Sequence, residues 1–168
     1  MKTVEKKIAL VFVALFFSVL TQAALAADDV AKQLVGTWKL TGWIVQVVGE
    51  DSREPFGPNP KGRLVLTPQG DWIIIMTATD RRPAKTVDEK ATLLDSVLAY
   101  SGKFIVEGDK ITTRVDMSSN EIYTGANQNQ IRFFKLDGDK LSLRSPEIAS
   151  AALPGKRVVA VLTWERER

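Results

Sequence analysis

Two arginines on neighbouring predicted strands, Arg114 and Arg132, are the residues best placed to do chemistry. Side chains alternate along a strand, so Arg132 shares a face with Gln130 and Phe134, and Arg114 shares one with Thr112. A guanidinium in an apolar interior needs a partner, and its fork of N–H groups suits a carboxylate. If the two arginines converge, they would bind an acidic group. The alternative is an outward-facing pair on a solvated sheet.

Aromatic and thioether side chains form a second group that could line a binding site. Trp72 and Met76 share one face of a predicted strand, which suits an adaptable apolar cavity, although ordinary core packing is the alternative. Tyr100 and Tyr123, the two tyrosines of the chain, flank the predicted opening. The candidate ligand-binding residues are therefore Trp43, Trp72, Met76, Tyr100, Arg114, Tyr123, Arg132 and Phe134.

The facing of the first predicted strand, Gly36 to Val48, depends on Gly42. Without a bulge, Trp38 and Ile44 share one face and Trp43 lies on the other. A bulge at Gly42 would exchange the later residues. The sequence leaves the facing of Trp43 open.

The chain has no histidine and no cysteine, which excludes several catalytic classes. Zinc hydrolases, Ser-His triads and Cys-His dyads all need one of these residues. We predict no metal site and no cofactor. An enzyme would have to use a tyrosine, or a carboxylate such as Asp116 or Glu121 near the opening, with a pKa raised by burial. Binding is favoured over catalysis, and a cofactor-free isomerase or cyclase is one alternative.

The first 26 residues have the pattern of a secretory signal. A basic start precedes an apolar run from Ile8 to Leu20, and Ala24 and Ala26 match the A-x-A cleavage pattern. A membrane anchor is the alternative, but a spanning helix needs about 20 apolar residues. We expect cleavage after Ala26, a periplasmic location, no stable membrane anchor, and a single mature domain over residues 27–168. The weak positive charge left after cleavage argues against nucleic-acid binding.

The candidate binding residues must be positioned by short β-strands, which the sequence pattern predicts. Three connections carry a glycine where a hairpin needs a positive φ: Pro68 to Gly70, Glu107 to Asp109 and Asp137 to Asp139. Close to eight apolar runs follow one another from Gly36 onward, so the sequence predicts an antiparallel meander. Eight strands can close on themselves, which removes unpaired edges and leaves room for side chains or one small ligand. We therefore predict an all-β, eight-stranded, up-and-down barrel.

One segment breaks the strand pattern. Thr86 and Glu89 have the spacing of a capping box, which predicts a helix from about Val87 to Ala99. Its apolar side chains fall on one face: Val87, Ala91, Leu94 and Leu98. Between two strands of a meander, such a helix would cover one end of the barrel as a plug or as a lid.

The two ends of the strand region resemble the lipocalin superfamily signature. In that signature a G-x-W motif in the first strand, here Gly36 to Trp38, is combined with an arginine in the last strand, here Arg166. An ordered set of motifs over residues 34–166 is similar to the bacterial lipocalin-like domain family: Gly36 to Leu40, Pro55 to Gly57, Gly62 to Leu64, Thr67 to Gly70, Gln130 to Phe134 and Leu162 to Arg166. The resemblance implies that Trp38 seals the barrel base and that Arg166 packs across it, which a cation–π contact would favour.

Together, the resemblance and the cavity composition suggest a periplasmic protein that binds a small apolar or amphipathic molecule, for example a fatty acid or a terpenoid-like compound. A third alternative is a solid barrel with a structural or partner-binding role. The sequence predicts neither the ligand's identity nor the oligomeric state.

Overall fold

A computed structural model describes residues 29–150 and 152–168 of the chain. The predicted signal segment, residues 1–26, lies outside the described residues. A helix α1 covers residues 29–34, and a second helix α2 covers Val87–Asp95. Nine strands make up most of the rest: β1 Gly36–Val47, β2 Lys61–Leu66, β3 Asp71–Thr77, β4 Val97–Glu107, β5 Lys110–Ser118, β6 Asn129–Asp137, β7 Lys140–Arg144, β8 Ile148–Ala149 and β9 Arg157–Arg166.

The strands form a closed antiparallel barrel. Each strand from β1 to β7 pairs with the next, β7 pairs with β9, and β9 pairs with β1 to close the ring. The two-residue β8 also pairs with β9, beyond the end of β7, so eight long strands build the wall. Closure gives each of these eight strands a partner on both sides along at least part of its length. The predicted all-β, eight-stranded barrel, with one helix between strands, is confirmed.

Glycines make the tight connections at one end of the barrel, which we call the base. Gly108 and Gly138 each open a two-residue connection, with φ of 62° and 56°. A positive φ at that position matches the twist of the paired strands, and glycine adopts it without a steric penalty. The opposite end, which we call the mouth, carries α2 and two short 3-10 turns, Glu121–Tyr123 and Gly125–Asn127.

A bulge in β1 decides which side chains point inward. The register of β1 against β9 shifts between Leu40 and Gly42, so that Leu40 lies opposite Trp164 and Trp43 lies opposite Leu162. Both partners are buried. Because an extra residue reverses the alternation, Trp43 joins Trp38 on the inner face.

The base is sealed by contacts between α1 and the two terminal strands. Trp38 is fully buried, and its indole N–H donates to the Leu34 carbonyl at 2.9 Å. The Arg166 guanidinium lies 4.0 Å from the centre of the Trp38 ring. It also donates to the carbonyls of Gln33 and Val35, at 2.5 and 2.7 Å. These contacts tie the chain before β1 to the end of β9.

Helix α2 begins where the capping box predicts, with reciprocal hydrogen bonds between Thr86 and Glu89. It ends at Asp95, so the predicted extension to Ala99 is wrong, because the chain has already entered β4. The helix has no buried residue, and Leu94 is 64% exposed. Val87, Ala91 and Leu94 of the predicted apolar face therefore point to solvent, whereas Leu98, the fourth residue of that face, lies in β4 and is buried. No helix in the described part of the chain has the length and hydropathy needed to cross a membrane.

Candidate functional site

Arg132 points into the barrel, whereas Arg114 does not. Arg132 pairs with Ile111, a fully buried inward residue, and is half-buried. Arg114 lies between Lys103 and Asn129 in the sheet and is exposed. Alternation along β5 and the register between β5 and β6 place the two side chains on opposite sides of the wall. The hypothesis that the two arginines converge is therefore wrong, and Arg132 alone reaches the interior.

Arg132 has no acidic partner at salt-bridge distance among residues 29–150 and 152–168. Its guanidinium donates to its neighbour's carbonyl, that of Ile131, at 2.7 Å and reaches the Gln130 side-chain oxygen at 3.5 Å. A half-buried cation with two such contacts keeps capacity for a further acceptor. The inner wall beside it includes Thr113, which is buried and lies opposite Gln130.

Three aromatic rings stack beside Arg132, and we call them the aromatic ladder: Trp72, Tyr100 and Tyr123. The Trp72 and Tyr100 rings are nearly parallel, 9° apart, with centroids separated by 6.3 Å. The Tyr100 and Tyr123 rings lie 25° apart at 5.4 Å. Trp72 and Tyr100 are buried, whereas Tyr123 sits half-buried at the mouth on a 3-10 turn. The sequence analysis expected both tyrosines at the mouth, and the structure stacks Tyr123 at the mouth directly on the buried Tyr100.

The tyrosine hydroxyls are protonated donors near neutral pH. Burial raises the pKa of Tyr100 and of Tyr123 above the usual value, and the positive charge of Arg132 partly opposes that rise. Neither hydroxyl donates a hydrogen bond within the described residues. The Trp72 indole N–H lies beside the Tyr100 hydroxyl without hydrogen-bond geometry and has no acceptor. The site therefore combines one cation with several uncommitted donors, which is suited to an anion.

The raised tyrosine pKa values predict a loss of stability at alkaline pH. Above the unfolded value of about 10, an unfolded tyrosine has released its proton while a buried one still holds it, so the free energy of unfolding falls as pH rises. Below that pH the two tyrosines contribute no pH dependence. We expect the Tm to fall between about pH 9.5 and pH 11 and to fall less in Tyr100→Phe. An equal decline in wild type and variant would contradict the assignment.

The other predicted site residues also lie in or near the interior. Met76 is fully buried, and Phe134 is half-buried opposite Leu143. Trp43 makes an edge-to-face contact with Phe56 at 4.5 Å, and its indole N–H has no acceptor within the described chain. The sequence analysis missed Phe56, a buried residue in the proline-rich loop after β1. The sequence did contain one indication, since Phe56 is the single aromatic residue of a loop that otherwise consists mainly of proline, glycine and polar residues.

The cavities found in the structure lie outside the barrel interior. One opens beside α1 and the β2–β3 turn, lined in part by Val35 and Pro68. Another lies beside α2 near Arg81, and a third lies on the outer wall near Lys61. The inner positions of the wall carry a continuous core of buried side chains, which includes Trp38, Trp72 and Trp164. Within the described residues, no group of three acidic side chains is placed to hold a metal ion.

Comparison with known proteins agrees with the architecture. A family model described as a lipocalin-like domain matches residues 35–167. The match spans every strand from β1 to β9, including both strands that close the ring. A search among curated proteins found no match. Since the matched segment makes up most of the chain, and that segment forms a closed eight-stranded barrel, the chain belongs to the lipocalin-like domain family.

Proposed function

We propose that this is an exported binding protein whose barrel mouth holds a small amphipathic molecule, with the acidic group of that molecule against Arg132. The observation that carries the proposal is the inward-facing Arg132, which has no carboxylate partner in the described chain. A half-buried guanidinium without a counter-ion is unfavourable unless an anion or water satisfies it. The hydroxyls of Tyr100 and Tyr123 would add two neutral donors.

The apolar part of the ligand would contact the aromatic ladder and the inward residues of β1 near the mouth. Trp43 and Phe56 form one side of that end, and the ladder forms another. Rings of this kind supply large contact areas and leave polar edges for orientation. Such a site would recognise a molecule with an apolar body and an acidic end.

Export is the second part of the proposal. It is supported by the basic start, the apolar run from Ile8 to Leu20 and the small residues before Asp28. The full chain should be produced in a bacterium and recovered from the periplasmic fraction. Its intact mass should correspond to removal of residues 1–26.

The same preparation tests binding. Tryptophan fluorescence should be followed while a set of small carboxylic acids and their methyl esters is added. We expect acids to bind more tightly than their esters, and Arg132→Gln to weaken acid binding by about tenfold to a hundredfold, because a charged hydrogen bond contributes about 1.5–3 kcal/mol. Arg114→Gln is the matched control, since that guanidinium faces outward.

Two outcomes would count against the proposal. Equal acid affinities for Arg132→Gln and Arg114→Gln would show that the inner guanidinium does not hold the ligand. No binding by any acid, together with no copurifying molecule in native mass spectrometry, would favour the solid-barrel alternative. That alternative has its own support, because the cavities found lie outside the wall.

A further inference from the structure

We infer that the ligand of this site is a compact, planar aromatic acid rather than a long-chain acid. This inference rests on the proposed function and specifies its substrate class. Three features of the interior carry it: the packing below the ladder, the parallel stacking of the ladder, and the position of the polar groups at the mouth.

The interior below the ladder is filled from the base upward. Trp38 and Trp164 close the base with at most 1% of their surfaces exposed. Phe104 contacts the Trp72 ring edge-to-face at 6.5 Å, and Leu66, which pairs with Trp72, is 1% exposed. An eight-stranded barrel has room for side chains or for one small ligand, and seldom for both. A long acyl chain would have to displace well-packed core residues, whereas a compact ligand can stay at the mouth.

The ladder favours a flat ring as the body of that ligand. Its rings are nearly parallel and spaced at 5.4 and 6.3 Å, within the range of offset stacking. Tyr123 forms the outer end and keeps part of its ring exposed. A planar ligand can continue the stack there, while an alkyl chain would gain only unspecific apolar contact.

The turn that carries Tyr123 can yield to admit such a ring. The 3-10 turn Glu121–Tyr123 has no buried residue. It is held by local hydrogen bonds: the Ile122 amide donates to the Asn120 side-chain oxygen, and the Thr124 hydroxyl donates to the Glu121 carbonyl. Segments with few buried contacts open at low free energy compared with the barrel wall. The turn can therefore adjust to a ring stacked on the outer face of Tyr123 while the strands stay in place.

The polar groups match an acid carried directly on a ring. A carboxylate conjugated to an aromatic ring lies close to the ring plane, so stacking of the ring also orients both oxygens. The Arg132 fork and the hydroxyls of Tyr100 and Tyr123 are the donors at this end of the ladder. Charge-assisted and bidentate contacts of this type give the strongest orientation.

The test compares three probes on the periplasmic protein by titration calorimetry: 1-naphthoate, decanoate and neutral 1-naphthalenemethanol. We expect 1-naphthoate to bind at least about tenfold more tightly than either of the others. Tyr123→Leu keeps an apolar side chain but removes the stacking ring, and it should weaken 1-naphthoate binding by about tenfold. Decanoate affinity should change little in the same variant.

The outcomes separate this inference from the proposed function. Decanoate binding that equals or exceeds 1-naphthoate binding, and that depends on Arg132, would overturn the aromatic-acid inference and leave the proposed function standing. Unchanged 1-naphthoate affinity in Tyr123→Leu would also overturn it. If neither acid binds to the wild-type protein, both the inference and the proposed function are wrong.

Discussion

Gly102→Ala is expected to destabilise the barrel by about 3 kcal/mol or more, and so to remove a large part of the roughly 5–15 kcal/mol that holds a domain of this size together. Gly102 is buried in β4 beside a bulge in β5. A Cβ there would overlap the Arg114 carbonyl oxygen and lie 2.9 Å from the Cα of Val115. Both neighbours are backbone atoms, so relief requires the two strands to separate.

The measurement is urea unfolding of the purified protein, followed by circular dichroism. Gly108→Ala is the control, because a Cβ at Gly108 meets nothing within 4 Å and the residue has a φ of 62°. That variant should lose only about 1–2 kcal/mol, the penalty of a positive φ for a residue with a Cβ. A Gly102→Ala midpoint equal to that of Gly108→Ala would rule out the steric explanation.

Trp38→Ala should destabilise the protein by about 3–5 kcal/mol, because it empties the largest volume at the base. The indole is fully buried, donates to the Leu34 carbonyl and lies under the Arg166 guanidinium. Truncation removes all three interactions and leaves a cavity that α1 cannot fill while it is bound to Arg166.

The variant Arg166→Met separates the contribution of the Arg166 hydrogen bonds from that of the buried volume of Trp38. Methionine keeps an apolar stem over Trp38 but cannot donate to the carbonyls of Gln33 and Val35. We expect a loss of about 1.5–3 kcal/mol, the range for hydrogen bonds made by a charged group. In the double variant the two losses should not add, since the residues are in contact. Additive losses in urea unfolding would show that the two side chains act independently.

The strand pattern allowed the barrel to be predicted because each hairpin carried its own local evidence. Glycines at Gly108 and Gly138 mark the turns, and alternating apolar residues such as Trp72, Ile74 and Met76 mark an inner face. These features depend on neighbours in sequence, and closure then follows from the number of strands. The turns and the inner faces of the strands could therefore be predicted from residues that are close to one another in the sequence.

The candidate site depends on register, which local rules do not give. Arg132 faces inward because it lies opposite Ile111, and the connection between β5 and β6 consists of irregular turns with no sequence period. The bulge that turns Trp43 inward is a similar case, since Gly42 permits it without requiring it.

Helix α2 was predicted in the right place, but its packing against the barrel was not. Its capping box specified a helix, but a helical pattern alone does not provide a surface for the helix to pack against.

Ring closure between β1 and β9 has a consequence for the order of folding. The hydrogen bond from Arg166 to Val35 joins residues 131 positions apart, and strand pairings over such separations form slowly. The barrel therefore cannot close until β9, the last strand, is available to β1, whereas a hairpin such as β4–β5 needs only residues that are close in sequence.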